Sequence, residues 1–217
     1  MIWSTLFVLT LPQASGIGLA AAESFAKSGV QHLVLVQRRQ EALDEAKKSL
    51  GSKFPDVKIT TYAASVTDYD KITTVLKEVG QIDVLVSNAG WSHPFGPSKD
   101  VKLADFQATF EINVFATFHI IKEFLALAST GPRTIIVTSS AVSQLVNPGQ
   151  IGYGPSKASS NIVVQHFAQE TQGTDVTVQT FHPGAIYTPG VEGLVPKDFF
   201  AWEDGMSDLI CLELCSS

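Results

Sequence analysis

Tyr153 and Lys157, in the stretch YGPSK, stand four residues apart, which is one helical turn and puts both side chains on one face of a helix. A phenol with an ordinary pKa of about 10 is a poor base at neutral pH. A neighbouring ammonium favours the phenolate and makes a usable proton donor and acceptor. Pro155 between them fits if it falls in the first turn of that helix, where its missing N–H costs little. Ser140 lies thirteen residues before Tyr153, at the end of the apolar run RTIIVTSS, and both side chains can reach the carboxyl edge of a sheet. A second group of residues suits a phosphate. ASGIGLA (14–20) follows a strand-like run and opens a helical one, so that Gly16 and Gly18, flanking Ile17, let backbone approach a ligand beside a helix N-terminus. Taken alone this glycine pattern is weak, and a plain strand-to-helix turn explains it equally well. The next strand-like run ends in VQRR. Neutral Gln37 followed by Arg38 and Arg39 suits a ribose 2′-phosphate, which puts NADP(H) ahead of NAD(H); the competing reading is a solvated basic helix start.

These residues need a sheet edge, and the rest of the chain supplies one. Strand-like runs rich in Val, Ile and Thr recur at 5–10, 32–37, 58–63, 82–88, 133–140 and 175–183, several of them apolar on both faces as buried parallel strands are. Helical spacing fills 16–28, 39–50, 67–79, 101–128 and 154–171. Strict alternation of this kind predicts an α/β fold with a doubly wound parallel sheet of about six strands. No repeat, linker or low-complexity run interrupts it, so residues 1–217 are expected to form one domain. The 101–128 segment is apolar nearly all round: Phe106, Phe110, Val114, Phe118, Ile121 and Leu125 form one stripe, and Ile112, Phe115, Ile120, Phe124 and Leu127 fill much of the remainder. Such a helix must be covered on both sides, by deep packing within one chain or by a second subunit.

Composition narrows the function classes. A net charge of −6 argues against a nucleic-acid partner or an anionic membrane surface. The apolar start MIWSTLFVLTL lacks a basic leader and a small-residue cleavage site and is too short to span a bilayer, so it reads as a buried first strand. Two cysteines, Cys211 and Cys215, provide neither a disulfide framework nor a metal pair, which points to a reducing, cytoplasmic setting. The five histidines lack ligand spacing.

Six motifs in order, SGIG (15–18), NAG (88–90), Asn113 in EINVF, SS (139–140), YGPSK (153–157) and HPGAIYT (182–188), give the chain its resemblance to the short-chain dehydrogenase/reductase family, which has a Rossmann-like fold. The resemblance implies that Tyr153 exchanges a proton with the substrate oxygen and that Ser140 hydrogen-bonds that oxygen. Ser139 is the alternative, and the thirteen-residue spacing favours Ser140. Lys157 would lower the tyrosine pKa and hold the nicotinamide ribose, and Asn113 would support a water linking Lys157 to solvent. Asn88, Ala89 and Gly90 would line the cofactor cleft, while Pro183, Gly184, Ile186 and Thr188 would border the nicotinamide.

The chain also departs from the family pattern. Leu11 and Pro12 stand where relatives place Thr-Gly, and proline lacks the backbone freedom of that glycine. Ser65 replaces the acid that ends the third strand. Relatives add a helix and a seventh strand where 191–217 carries an unfamiliar segment, so both ends look exchanged, as in an altered transcript or gene model. Two functions follow as expectations: an NADP(H)-dependent oxidoreductase interconverting a small, largely apolar ketone and alcohol, or a catalytically silent member with impaired cofactor binding. Helices near 101–128 and 154–171 are the candidate surfaces for a homodimer or homotetramer. Trp91, His93 and Phe95 fit pocket lining and loop packing equally well.

Overall fold

The computed structural model describes residues 4–9 and 16–184, with residues 6–9 described through their backbone. Six strands, β1 (Thr5–Leu9), β2 (His32–Gln37), β3 (Lys58–Ala63), β4 (Val84–Ser87), β5 (Arg133–Thr138) and β6 (Val176–Phe181), form one sheet in the order β3-β2-β1-β4-β5-β6. Every pairing is parallel. Parallel neighbours need crossovers, and the helices supply them: α1 (Ile17–Lys27), α2 (Gln40–Lys53), α3 (Tyr69–Val79), α4 (Leu103–Phe110), α5 (Ala116–Ala126) and α6 (Tyr153–Glu170). The doubly wound sheet anticipated from the alternating pattern is therefore present. The order reverses between β1 and β4, and the crevice at such a switch point is where open α/β sheets bind ligands.

The period-2 geometry of β2 divides the core into two layers. Val34 and Val36 join Ile72, Leu76, Ile121, Phe124 and Val164 on the α3/α5/α6 side. Leu33 and Leu35 face the opposite way, with Ala21, Ala22, Leu43 and Leu50 of α1 and α2. At the amino edge, Asp83 accepts hydrogen bonds at Oδ2 from Ser4 N (2.7 Å), Ser4 Oγ (2.5 Å) and Thr5 N (2.8 Å), pinning the start of β1 to β4. Burial alone would raise the pKa of this carboxyl. The bonds from Ser4 and Thr5 outweigh burial and hold it below the usual carboxylate range.

One expected element is corrected. The 101–128 segment is not a single helix apolar all round: α4 runs into a π-helical turn, Glu111–Phe115, before α5 begins. A π turn takes in more residues per turn than an α-helix, so residues on either side of it lose a common phase. The expected stripe is split accordingly. Val114 and Ile121 are buried, while Phe118 is exposed. The readings that concern Leu11, Pro12 and the altered 191–217 segment lie outside the described residues.

Candidate active site

The carboxyl ends of β4 and β5 and the start of α6 come together in one region. Tyr153 is the first residue of α6, and Pro155 is its third, inside the first turn where a proline is tolerated. Lys157, one turn later, is 4% exposed and donates from Nζ to the carbonyl of Thr138 at 2.7 Å, at the end of β5. Its Nζ lies 5.9 Å from the centroid of the Tyr153 ring. Burial of the ammonium lowers the Lys157 pKa to about 8. Burial pushes the Tyr153 phenol above its ordinary range, and a hydrogen bond with the Ser140 side chain pulls it the other way. The ring is half-buried.

The two serines at the end of β5 are occupied differently. Ser139 Oγ donates to Asn161 Oδ1 at 2.7 Å, and Asn161 Nδ2 donates to Ser143 Oγ at 3.0 Å, a bridge that holds the loop after β5 against α6. Ser140 is the serine partnered with Tyr153.

The π turn aims Asn113 into the same region, where it is 1% exposed. Its Oδ1 accepts from Trp91 N at 2.7 Å, and its Nδ2 donates to Trp91 O and to Ser156 Oγ, each at 2.8 Å. Ser156 Oγ in turn donates to Tyr153 O at 2.7 Å. Asn113 thus ties the loop after β4 to the first turn of α6. Gly90 in that loop is a close approach: a Cβ there would stand 3.2 Å from Lys157 Nζ and 3.4 Å from Asn113 Oδ1. Asn88 Oδ1 accepts from Thr138 Oγ1 at 2.9 Å, and Ala89 is buried.

Of the glycine-rich segment, the structure describes the start of α1 from Gly16 onward. Gly16, the N-cap of α1, has φ 91° and ψ −159°, a conformation that only glycine adopts readily. Among the described residues no side chain caps the helix, and no acid occupies its first turn, so nothing there opposes an anion at the helix N-terminus. At the end of β2, Gln37 is 1% exposed, and its Oε1 has no hydrogen-bond partner among the described residues; Arg38 beside it is exposed. Ser65 Oγ is engaged with Thr67 Oγ1 at 2.8 Å. Pro183 is half-buried and Gly184 exposed. Ile186 and Thr188 lie outside the described residues.

Sequence reasoning did not single out Ser156, Asn161 or the Thr138 carbonyl. Serine and asparagine inside a helix carry no period of their own, and a carbonyl carries no sequence signal. His93, left open between pocket lining and packing, is 1% exposed and hydrogen-bonded at both ring nitrogens.

A family model described as short chain dehydrogenase matches residues 7–198. A short chain dehydrogenase/reductase of Aspergillus aculeatus, AacuD, is 40% identical over 197 residues, covering 91% of this chain and 69% of that protein. The structure of L-sorbose reductase from Gluconobacter frateurii, complexed with NADPH and L-sorbose, matches with a TM-score of 0.79 at 28% identity, over 87% of this chain and 72% of that one. A structure of NAD+-bound xylitol dehydrogenase matches with a TM-score of 0.77 at 26% identity, over 85% and 71% of the two chains.

Proposed function

The chain belongs to the short-chain dehydrogenase/reductase family of oxidoreductases, and from that premise we propose that it is an NADP(H)-dependent reductase of a small, largely apolar ketone, with Tyr153 as the proton donor. The observation that carries this reading is the convergence of Ser140, Tyr153 and Lys157 at one sheet edge, with Asn113 bracing the loop beside them.

A nicotinamide held here would supply hydride-transfer chemistry in either direction, leaving the oxygen and its proton to the chain's own residues. Ser140 holds the substrate oxygen by a hydrogen bond, and the Tyr153 hydroxyl gives its proton to the same oxygen. Burial raises the Tyr153 phenol and the Ser140 hydrogen bond opposes it, so the hydroxyl carries a proton to give at neutral pH. The Lys157 ammonium stabilises the phenolate left behind and binds ribose hydroxyls. Asn113 supports a water that returns a proton to Lys157 from solvent. The amides at Gly16, Ile17 and Gly18 receive phosphate; Asn88, Ala89 and Gly90 line the cleft; Pro183, Gly184, Ile186 and Thr188 border the nicotinamide. The neutral amide of Gln37 and the cation of Arg38 support NADP over NAD, because a carboxylate at that point would repel a 2′-phosphate. Among the relatives, NADPH is named with L-sorbose reductase and NAD+ with xylitol dehydrogenase, so the preference rests on these two side chains.

The partner proposed at the exposed helix faces is a second copy of the chain. Phe115 is 53% exposed, Phe118 47% and Ile162 54%, an apolar surface across the π turn, α5 and α6. The scarcity of cysteine supports a cytoplasmic site of action.

Fluorescence titration with NADPH, then turnover of acetophenone and cyclohexanone followed by loss of NADPH absorbance, tests the proposal. Binding should be seen, and Tyr153→Phe should keep it while lowering turnover by about 10³-fold. Absence of binding at millimolar NADPH and NADH would overturn the reading, as would a Tyr153→Phe variant with full turnover.

A further inference from the structure

A buried imidazole is costly unless both nitrogens are satisfied, and those of His93 are satisfied by backbone groups of opposite kind. Nδ1 lies 2.7 Å from the carbonyl of Pro94, which can only accept. Nε2 lies 3.1 Å from the amide of Gly152, which can only donate. The partners therefore set the tautomer, with the proton on Nδ1 and the lone pair of Nε2 facing Gly152.

Gly152 is the N-cap of α6 and immediately precedes Tyr153, and no side chain of its own caps the helix. The contact leaves no slack: a Cβ on Gly152 would stand 2.8 Å from His93 Cδ2, 3.0 Å from Nε2 and 3.3 Å from Thr109 Oγ1. Lys157 has a separate anchor at the Thr138 carbonyl. Tyr153 keeps its carbonyl tie to Ser156, so loss of the His93 contact would free the amide just before it, on the side away from the Lys157 anchor.

We propose that His93 is a positioning residue of the active site, an internal cap on the amide of Gly152 that sets the Tyr153 hydroxyl against Lys157 and the substrate oxygen. The inference rests on the reading of Tyr153 as proton donor. Its expected effect falls on turnover and spares cofactor affinity, because a misplacement of about an ångström at a reacting group costs one to two orders of magnitude in rate.

His93→Phe should lower kcat for acetophenone reduction by about 10-fold while NADPH Kd and ketone KM stay within about 2-fold. His93→Gln, whose Oε1 can accept from Gly152, should return kcat to within about 3-fold of the parent. Gly152→Ala should reproduce the loss in the parent and cost little in a His93→Ala background, where the space is open. A readout independent of turnover is the titration of Tyr153 by NMR of 13Cζ-labelled tyrosine, assigned by Tyr153→Phe. Its midpoint should move by about half a unit in His93→Phe and stay put in His93→Gln. If His93→Phe does not fold, the Gln and Gly152→Ala variants carry the same comparison. An unchanged kcat and midpoint in His93→Phe would overturn the proposal, and so would equal losses in Phe and Gln variants with binding intact. Full turnover in Tyr153→Phe would instead sink the proton-donor reading, and the tyrosine titration would still report whether His93 sets the phenol.

Discussion

Lys157→Met should make the protein more stable and less active, with a pH dependence that identifies the cause. In the folded chain the ammonium loses its proton at about 8 because it is buried, against an ordinary value of 10.5. That difference corresponds to about 3 kcal/mol favouring the neutral amine on folding. Between pH 8 and 10.5 the unfolded chain binds more protons at this site than the folded one, so stability rises with pH across that window. Below pH 8 the full penalty stands. Methionine fills a similar volume with no charge to desolvate, but forfeits the hydrogen bond to the Thr138 carbonyl, worth about 1 kcal/mol. The balance is a gain of about 2 kcal/mol at pH 7, or roughly 4–8 °C in Tm for a chain of this size. At pH 10 the parent has shed most of its penalty, and the gain should disappear. Urea unfolding of parent and variant at pH 7 and pH 10 measures both points. A variant that is less stable than the parent at pH 7, or a difference that does not shrink by pH 10, would refute the account of Lys157 as a desolvated cation held for catalysis.

Asp83→Asn should cost about 1–2 kcal/mol, since it replaces a charged acceptor of three bonds by a neutral one. Because the folded-state pKa of Asp83 is depressed, its contribution is present at neutral pH and is lost as pH falls through the carboxylate range. Acid unfolding of the variant should therefore be shallower than that of the parent. Gly90→Ala would set a methyl 3.2 Å from an Nζ already anchored at Thr138, and turnover should fall about 10-fold with Tm nearly unchanged; kinetics beside a thermal melt checks this. Gln37→Asp should weaken NADPH about 100-fold and spare NADH, read by fluorescence titration of both cofactors.

Much of this was legible in the chain because it depends on period and order. Val34, Val36, Leu33 and Leu35 announce a strand buried on two faces, and β2 and β3 begin and end where their apolar runs do. Tyr153 and Lys157 advertise themselves by spacing. What stayed hidden depends on the third dimension. The π turn at Glu111–Phe115 has no composition that distinguishes it from α-helix, yet it breaks the stripe and brings Asn113 to Trp91. Asp83 reads as a lone acid at the start of a strand until Ser4 and Thr5 close over it. His93 follows the same rule, since the amide it caps lies 59 residues away and has no side chain to mark it.

The clamp at Asp83 bears on the order in which the molecule can assemble. β1 occupies the middle of the sheet, between β2, which follows soon after it, and β4, some 78 residues on. During synthesis β1 and β2 can pair while one flank of β1 stays unpaired, until the chain has grown past residue 83 and Asp83 can reach Ser4 and Thr5. That interval exposes an apolar strand edge, the condition under which a partly made chain adheres to its neighbours. Closure of this one long loop must therefore come before the sheet is complete, and the Asp83 clamp is what holds it shut at the amino edge.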